Sequence, residues 1–185
     1  MKICFNILLT LFSLSASCQT QEEQKFLDTL KMGGSYLIGK QMKEFECKTV
    51  TGEEYSNKDL KNKVTVINFW FEACAPCAAE VDALNNLFEK YKKEKKFQFL
   101  SFTFDPKENV IKFITKHNIK YPVIILSDDS CSILNFRKGF PSTIITDTMA
   151  NIIYYHIGGP KVPKAAMEFI ETNVYPIIEQ EIKKM

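Results

Sequence analysis

The chain has 185 residues, 45% of them apolar and 25% charged, with a formal net charge of +2. That suits one globular domain with an arm and is cramped for two. Balanced charge argues against a nucleic-acid binder built on a basic stripe, and no apolar run reaches the roughly 20 residues that span a bilayer, which excludes a polytopic membrane protein. The two histidines, His117 and His156, lie far apart in sequence, which argues against a His-rich metal centre. No cofactor, metal or nucleic acid is expected.

Residues 1–17 read as a secretory signal peptide. Lys2 is followed by a short apolar run and then by Ser13, Ser15, Ala16 and Ser17. Cys18 comes next, and the segment resembles a bacterial lipoprotein signal, in which such a cysteine is lipidated. Ser15 departs from that pattern, and ordinary cleavage after Ser17 also fits. Residues 18–36 are then a lipidated N-terminus and tether, polar from Gln19 to Lys25. The expected location is the bacterial cell envelope, lipid-anchored and facing the periplasm. Disulfides persist there, so cysteines are either structural or redox-active.

Residues 37–185 form the expected domain. A helical turn is predicted over 26–32 and a hairpin over 43–55 around Thr51-Gly52. The β-branched and aromatic run 64–71 reads as a central strand covered on both faces. Over 78–93, Val81, Leu84, Leu87, Phe88 and Tyr91 recur at helical spacing. Glu80, Asp82, Asn85, Glu89 and Lys92 are expected on the opposite, polar face. A second strand follows over 97–104. A helix is then predicted with Asp105 as N-cap, Pro106 at its first position, and Val110, Ile111, Phe113 and Ile114 buried. Residues 121–126 make a third strand and 128–138 a loop or short helix. Strands 142–147 and 152–157 form a hairpin, and a closing helix covers 161–172. Pro176 interrupts the pattern before a last helical piece over 177–184. This order predicts an α/β fold, its central mixed sheet parallel early and antiparallel late, flanked by helices, with an N-terminal hairpin extension.

Cys74 and Cys77 lie on the connection between the central strand and the first long helix. A cysteine at a helix N-terminus has its thiolate stabilised by free backbone amides and the helix dipole, which activates it for disulfide exchange. Cys77, one turn on and more buried, would resolve the mixed disulfide. Pro76 costs little where amides are unpaired anyway. The competing readings are a structural bridge, which closes too small a loop to stabilise much, and half a zinc site, for which no second ligand pair is present.

The run Val66-Ile67-Asn68-Phe69-Trp70 followed by Cys74-Ala75-Pro76-Cys77 resembles the active-site strand and turn of the thioredoxin superfamily. It is most similar to the TlpA/ResA-like branch of membrane-tethered envelope proteins. Segments 39–45, 51–52, 60–63, 139–147 and 158–159 extend the likeness over residues 37–172. The resemblance implies a thioredoxin-like fold with Cys74 attacking and Cys77 resolving. It implies that Pro141 is the cis-proline beside them and that Glu80 relays protons or tunes the thiols. Trp70, Ala75, Pro76 and Phe140 become the expected substrate-binding residues. Asn68 departs from the buried aspartate of thioredoxin, which shifts proton transfer toward Glu80 or water. Ala73 replaces a frequent tryptophan, leaving Phe71, Trp70 and Phe140 to form the aromatic wall.

The implied function is a thiol–disulfide oxidoreductase that reduces or exchanges disulfides in exported proteins, such as apocytochromes awaiting haem. Its partners would be cysteine-bearing envelope proteins and an upstream thiol electron donor. One alternative is a thiol peroxidase, but the T-x-x-C pattern is broken by Phe71 and the single arginine is Arg137. Another is a non-catalytic binding lipoprotein. Cys47 and Cys131 read as unpaired, with a bridge between them left open. His156 reads as a strand residue, and the lysines between Lys92 and Lys96 as a solvated helix end.

Overall fold

The computed structural model describes residues 35–184. The expected signal peptide, Cys18 and the helical turn over 26–32 lie outside the described residues. A 3-10 turn, Ser35–Leu37, opens this part, and the chain from Leu37 onward forms one compact unit.

A two-stranded antiparallel hairpin comes first, β1 (Glu46–Lys48) and β2 (Glu54–Ser56), with Glu46 opposite Ser56. Gly52 turns it at φ 103°, a left-handed conformation that side chains resist. The short helix α1 (Asn57–Leu60) is closed by a capping box between Ser56 and Asp59.

The main sheet has five strands: β3 (Val64–Phe69), β4 (Phe97–Thr103), β5 (Val123–Ile125), β6 (Ser142–Thr146) and β7 (Ile152–Ile157). Their order is β5-β4-β3-β6-β7. β3 pairs parallel with β4, and β4 with β5, whereas β6 runs antiparallel to both β3 and β7. Every residue of β3 and β4 is buried. This is why the β3 sequence shows no polar alternation: both faces are covered.

Alternation still sorts the side chains. Val64, Val66 and Trp70 point into one core with Phe97 and Phe99, while Ile67 and Phe69 join Leu100 and Phe102 in the other. The first core is roofed by α2 (Ala75–Tyr91), α3 (Lys107–His117), α5 (Pro163–Asn173) and α6 (Tyr175–Lys183). The second is closed by Leu60 of α1, by Cys131 and Leu134 of α4 (Asp128–Leu134), and by Leu37, Met42 and Phe45. Asn68 and Thr143 face each other across β3 and β6 on the α2 side.

Several local expectations are corrected. α3 begins at Lys107 with Pro106 as its N-cap residue, because the Asp105 carboxylate is used elsewhere. Ile111 is exposed, lying off the stripe of Val110 and Phe113. Residues 128–134 are helical, capped by the Ser127 hydroxyl, which accepts the Ser130 N–H at 3.1 Å. Pro176 starts α6 rather than interrupting it. Glu80 and Asn85, expected on the polar face of α2, are both buried. Asn85 earns that place by bonding the Asn118 carbonyl at 3.1 Å and the Lys120 amide at 2.9 Å.

Candidate active site

The chain leaves the sheet after Phe69, and Trp70 to Ala73 form the descent into α2. Three hydrogen bonds fix this loop. The Asp105 carboxylate accepts the Glu72 N–H at 2.6 Å and the Thr103 hydroxyl at 2.9 Å. The Phe71 carbonyl accepts the Cys74 N–H at 3.1 Å.

Cys74 is the N-cap residue of α2, with extended backbone at φ −87°, ψ 101°. Its Sγ accepts the backbone N–H of Cys77 at 3.2 Å. The four N–H groups of a helix's first turn lack intrahelical partners, so the sulfur sits where amides and the helix dipole favour negative charge. Pro76 falls within that turn, where no amide is required. Cys74 and Cys77 form a disulfide, with Cα atoms 5.2 Å apart. Cys74 is 5% exposed and Cys77 2%.

Glu80 lies one turn beyond Cys77, on the buried stripe continued by Leu84, Leu87 and Tyr91. It is 6% exposed. The Asn68 side-chain amide donates to its Oε1 at 2.9 Å. Burial pushes the Glu80 carboxyl up to about 8, and the Asn68 hydrogen bond opposes this only in part. Its Oε2 faces a narrow space: a Cβ built on Gly159 would lie 3.6 Å from that oxygen and 3.6 Å from Cγ of Pro141. Glu80, Pro141 and Gly159 therefore converge. The Phe140–Pro141 peptide bond is cis, and the Pro141 carbonyl accepts the Gly158 N–H at 2.7 Å.

Beside the cysteine loop, Phe71, Phe104 and Phe140 form a half-buried aromatic group. Phe140 lies 5.5 Å from each of the other two rings, and Phe71 5.8 Å from Phe104. Ala75 is exposed and Pro76 half-buried. Trp70 is different. It is 2% exposed, stacked on Phe113, and its indole N–H donates to Ser101 at 2.7 Å. The substrate contact expected of Trp70 is corrected to a packing role, because this residue, one past the end of β3, keeps the phase of Val64 and Val66 and lies buried with them in the helix-covered core. Phe104 takes the outward place in the aromatic wall; the signal available in sequence was its position at the end of β4, level with the descent from β3.

The remaining candidates stand apart. Burial raises the thiols of Cys47 and Cys131 to about 11 and about 12, helped by Asp59 and by Asp128 and Asp105 respectively, and both are free. His156 packs on Phe169, and burial lowers its basicity against a hydrogen bond with the Gly158 backbone. Among the described residues, no three His, Cys, Asp or Glu side chains cluster as metal ligands, and no helix is long and apolar enough to cross a membrane.

Comparison with known proteins agrees with this arrangement. The AhpC/TSA family matches residues 38–154. The chain is 32% identical to thiol-disulfide oxidoreductase ResA of Bacillus cereus, covering 85% of this chain and 88% of that one. A thioredoxin-family thiol:disulfide interchange protein of Chlorobium tepidum superposes with a TM-score of 0.60 at 19% identity, over 77% of this chain and 95% of that one. StoA of Bacillus subtilis gives 0.57 at 19% identity, over 70% of this chain and 96% of its own. The two structures share the fold. With a cysteine pair at the mouth of α2 and a relative this similar along nearly its whole length, the chain belongs to the AhpC/TSA family and, within it, to the ResA-like thiol–disulfide oxidoreductases.

Proposed function

We propose that the protein reduces or exchanges disulfides in cysteine-bearing proteins of the bacterial envelope through a Cys74/Cys77 cycle. The observation that carries this reading is the Cys74 sulfur at the N-cap of α2, holding the Cys77 amide and bonded to the Cys77 sulfur. In the dithiol form, the Cys74 thiolate attacks one sulfur of a client disulfide. The client S–S bond breaks, a mixed disulfide forms, and the departing client sulfur takes up a proton. Cys77 then loses its proton and attacks Cys74, releasing the second client thiol. The client gains two electrons, the protein becomes the disulfide, and an upstream thiol donor restores it.

Glu80 is suited to accept the Cys77 proton. Its Oε1 is held by Asn68, so Oε2, the oxygen toward Pro141 and Gly159, is the one that exchanges a proton. A carboxyl titrating at about 8 can hold or release that proton near neutral pH. Phe140, Phe71, Ala75 and Pro76 form the surface that a client chain meets, and the backbone ahead of Pro141 can pair with it as an added strand. Cys18 carries the lipid that holds the domain at a membrane face toward the periplasm.

Trapping with Cys77→Ala tests the reading. Mixed disulfides on Cys74 should accumulate, and mass spectrometry would name the clients. An empty trap from correctly exported protein overturns it. A reduction potential near thioredoxin's roughly −270 mV fits the reducing direction, whereas one near roughly −120 mV makes the protein an oxidant.

A further inference from the structure

Asn135, at the end of α4, is fully buried yet is absent from the chemistry above. Its side-chain amide donates to two consecutive carbonyls, Lys138 at 3.2 Å and Gly139 at 3.1 Å. Its side-chain carbonyl accepts the Ser142 hydroxyl at 2.5 Å and the Tyr155 hydroxyl at 3.2 Å. Its backbone carbonyl also accepts the Lys138 N–H at 3.0 Å. One carboxamide thus ties the loop 138–139 to β6 and β7. That loop needs tying, because Phe136 and Arg137 adopt left-handed conformations, at φ 53° and 57°. Side chains resist that region, and it persists where surrounding bonds over-determine it.

The residues following the tied carbonyls are Phe140 and Pro141. Phe140 meets Phe71, whose carbonyl holds the Cys74 amide. We infer that Asn135 is a positioning residue for client docking: it sets the backbone of Phe140 and Pro141 beside the cysteine loop and does not touch the reacting sulfurs. This rests on the reading of the protein as a reductase of protein disulfides.

The test uses the reduced protein and a synthetic peptide carrying one intramolecular disulfide, with iodoacetamide labelling of Cys74 as the second readout. Asn135→Ala should raise KM for the peptide by about tenfold, the effect of losing one or two hydrogen bonds that hold a binding surface. The alkylation rate of Cys74, which reports its thiolate, should stay within about twofold. Should Asn135→Ala fail to fold, the double variant Ser142→Ala, Tyr155→Phe serves. It leaves the Asn135 amide in place but unsteadied, and KM should rise about threefold with alkylation unmoved. An unchanged KM, or a KM and an alkylation rate that move together, overturns the role of Asn135 alone. Wild-type protein that cannot reduce the peptide sinks the reductase reading and this inference with it.

Discussion

Asn68 on the central strand donates its side-chain N–H to Oε1 of Glu80 at 2.9 Å, inside the core and one helical turn from Cys77. The pair joins β3 to α2 beside the cysteine-bearing first turn of that helix. An amide can orient a carboxyl but cannot take its proton, so Glu80 is the titrating member.

That arrangement makes stability depend on pH. The Glu80 carboxyl titrates at about 8 in the folded protein, against an ordinary value of 4.5. Between those values the folded state holds a proton that the unfolded state has lost. The stabilisation is complete below 4.5 and disappears as pH rises through about 8. Glu80→Gln keeps the shape and the Asn68 contact through its amide carbonyl, and removes the titration. Thermal melts of the wild type should drop by about 5 °C or more across this window relative to Glu80→Gln. Parallel melting curves for the two proteins would refute the buried acid.

Gly159 offers a steric test of the space around the same carboxyl. A methyl group there lies 3.6 Å from both Glu80 Oε2 and Pro141 Cγ, which is ordinary contact. Gly159→Ala should therefore fold and exchange disulfides much as the wild type does. Gly159→Leu must push its branched end between the acid and the proline, and client reduction should slow by about tenfold or more. A Leu variant with wild-type turnover would show that the gap between Glu80 and Pro141 is not used.

How far these residues were legible in the sequence follows from where their partners lie. The strands Val64–Phe69 and Phe97–Thr103 declare themselves, because burial on both faces selects β-branched and aromatic side chains directly. The cysteine pair is legible by spacing and by its place after a strand. Glu80 is only half legible. Its charge suggests the solvent face, yet its position is in phase with Leu84, Leu87 and Tyr91, and the phase proves the better guide. Asn135 gives no local signal at all: its partners are loop carbonyls together with Ser142 and Tyr155 on two different strands. Asp105 misleads for a related reason, since Asp-Pro before a helical pattern looks like a cap, while its true partner, the Glu72 amide, is 33 residues earlier.

Asp105 should consequently matter to the cysteine loop more than to α3. Asp105→Ala removes the acceptor of the Glu72 amide and of the Thr103 hydroxyl. Hydrogen bonds to a charged group of this kind are worth about 1.5–3 kcal/mol. The expected result is a melting temperature lower by roughly 3–10 °C. Amide hydrogen exchange should quicken at Glu72 and Cys74 while the α3 amides keep their protection. Faster exchange confined to α3 would restore Asp105 as a helix cap.

Trp70 is the last discriminating position, because its substrate role and its packing role predict opposite results. Its ring stacks on Phe113 with centroids 4.6 Å apart, and its N–H satisfies Ser101, a fully buried hydroxyl on β4. Trp70→Phe keeps an aromatic ring but strands that hydroxyl and leaves a small void. Each effect costs about 1–3 kcal/mol. The variant should therefore unfold at lower denaturant, detectable as a reduced midpoint with an unchanged slope. Its KM for a disulfide-bridged peptide should stay within about twofold of the wild type, since the ring offers no surface to a client. Trp70→Phe with intact stability and a much higher KM would reverse the assignment and return this side chain to the docking surface.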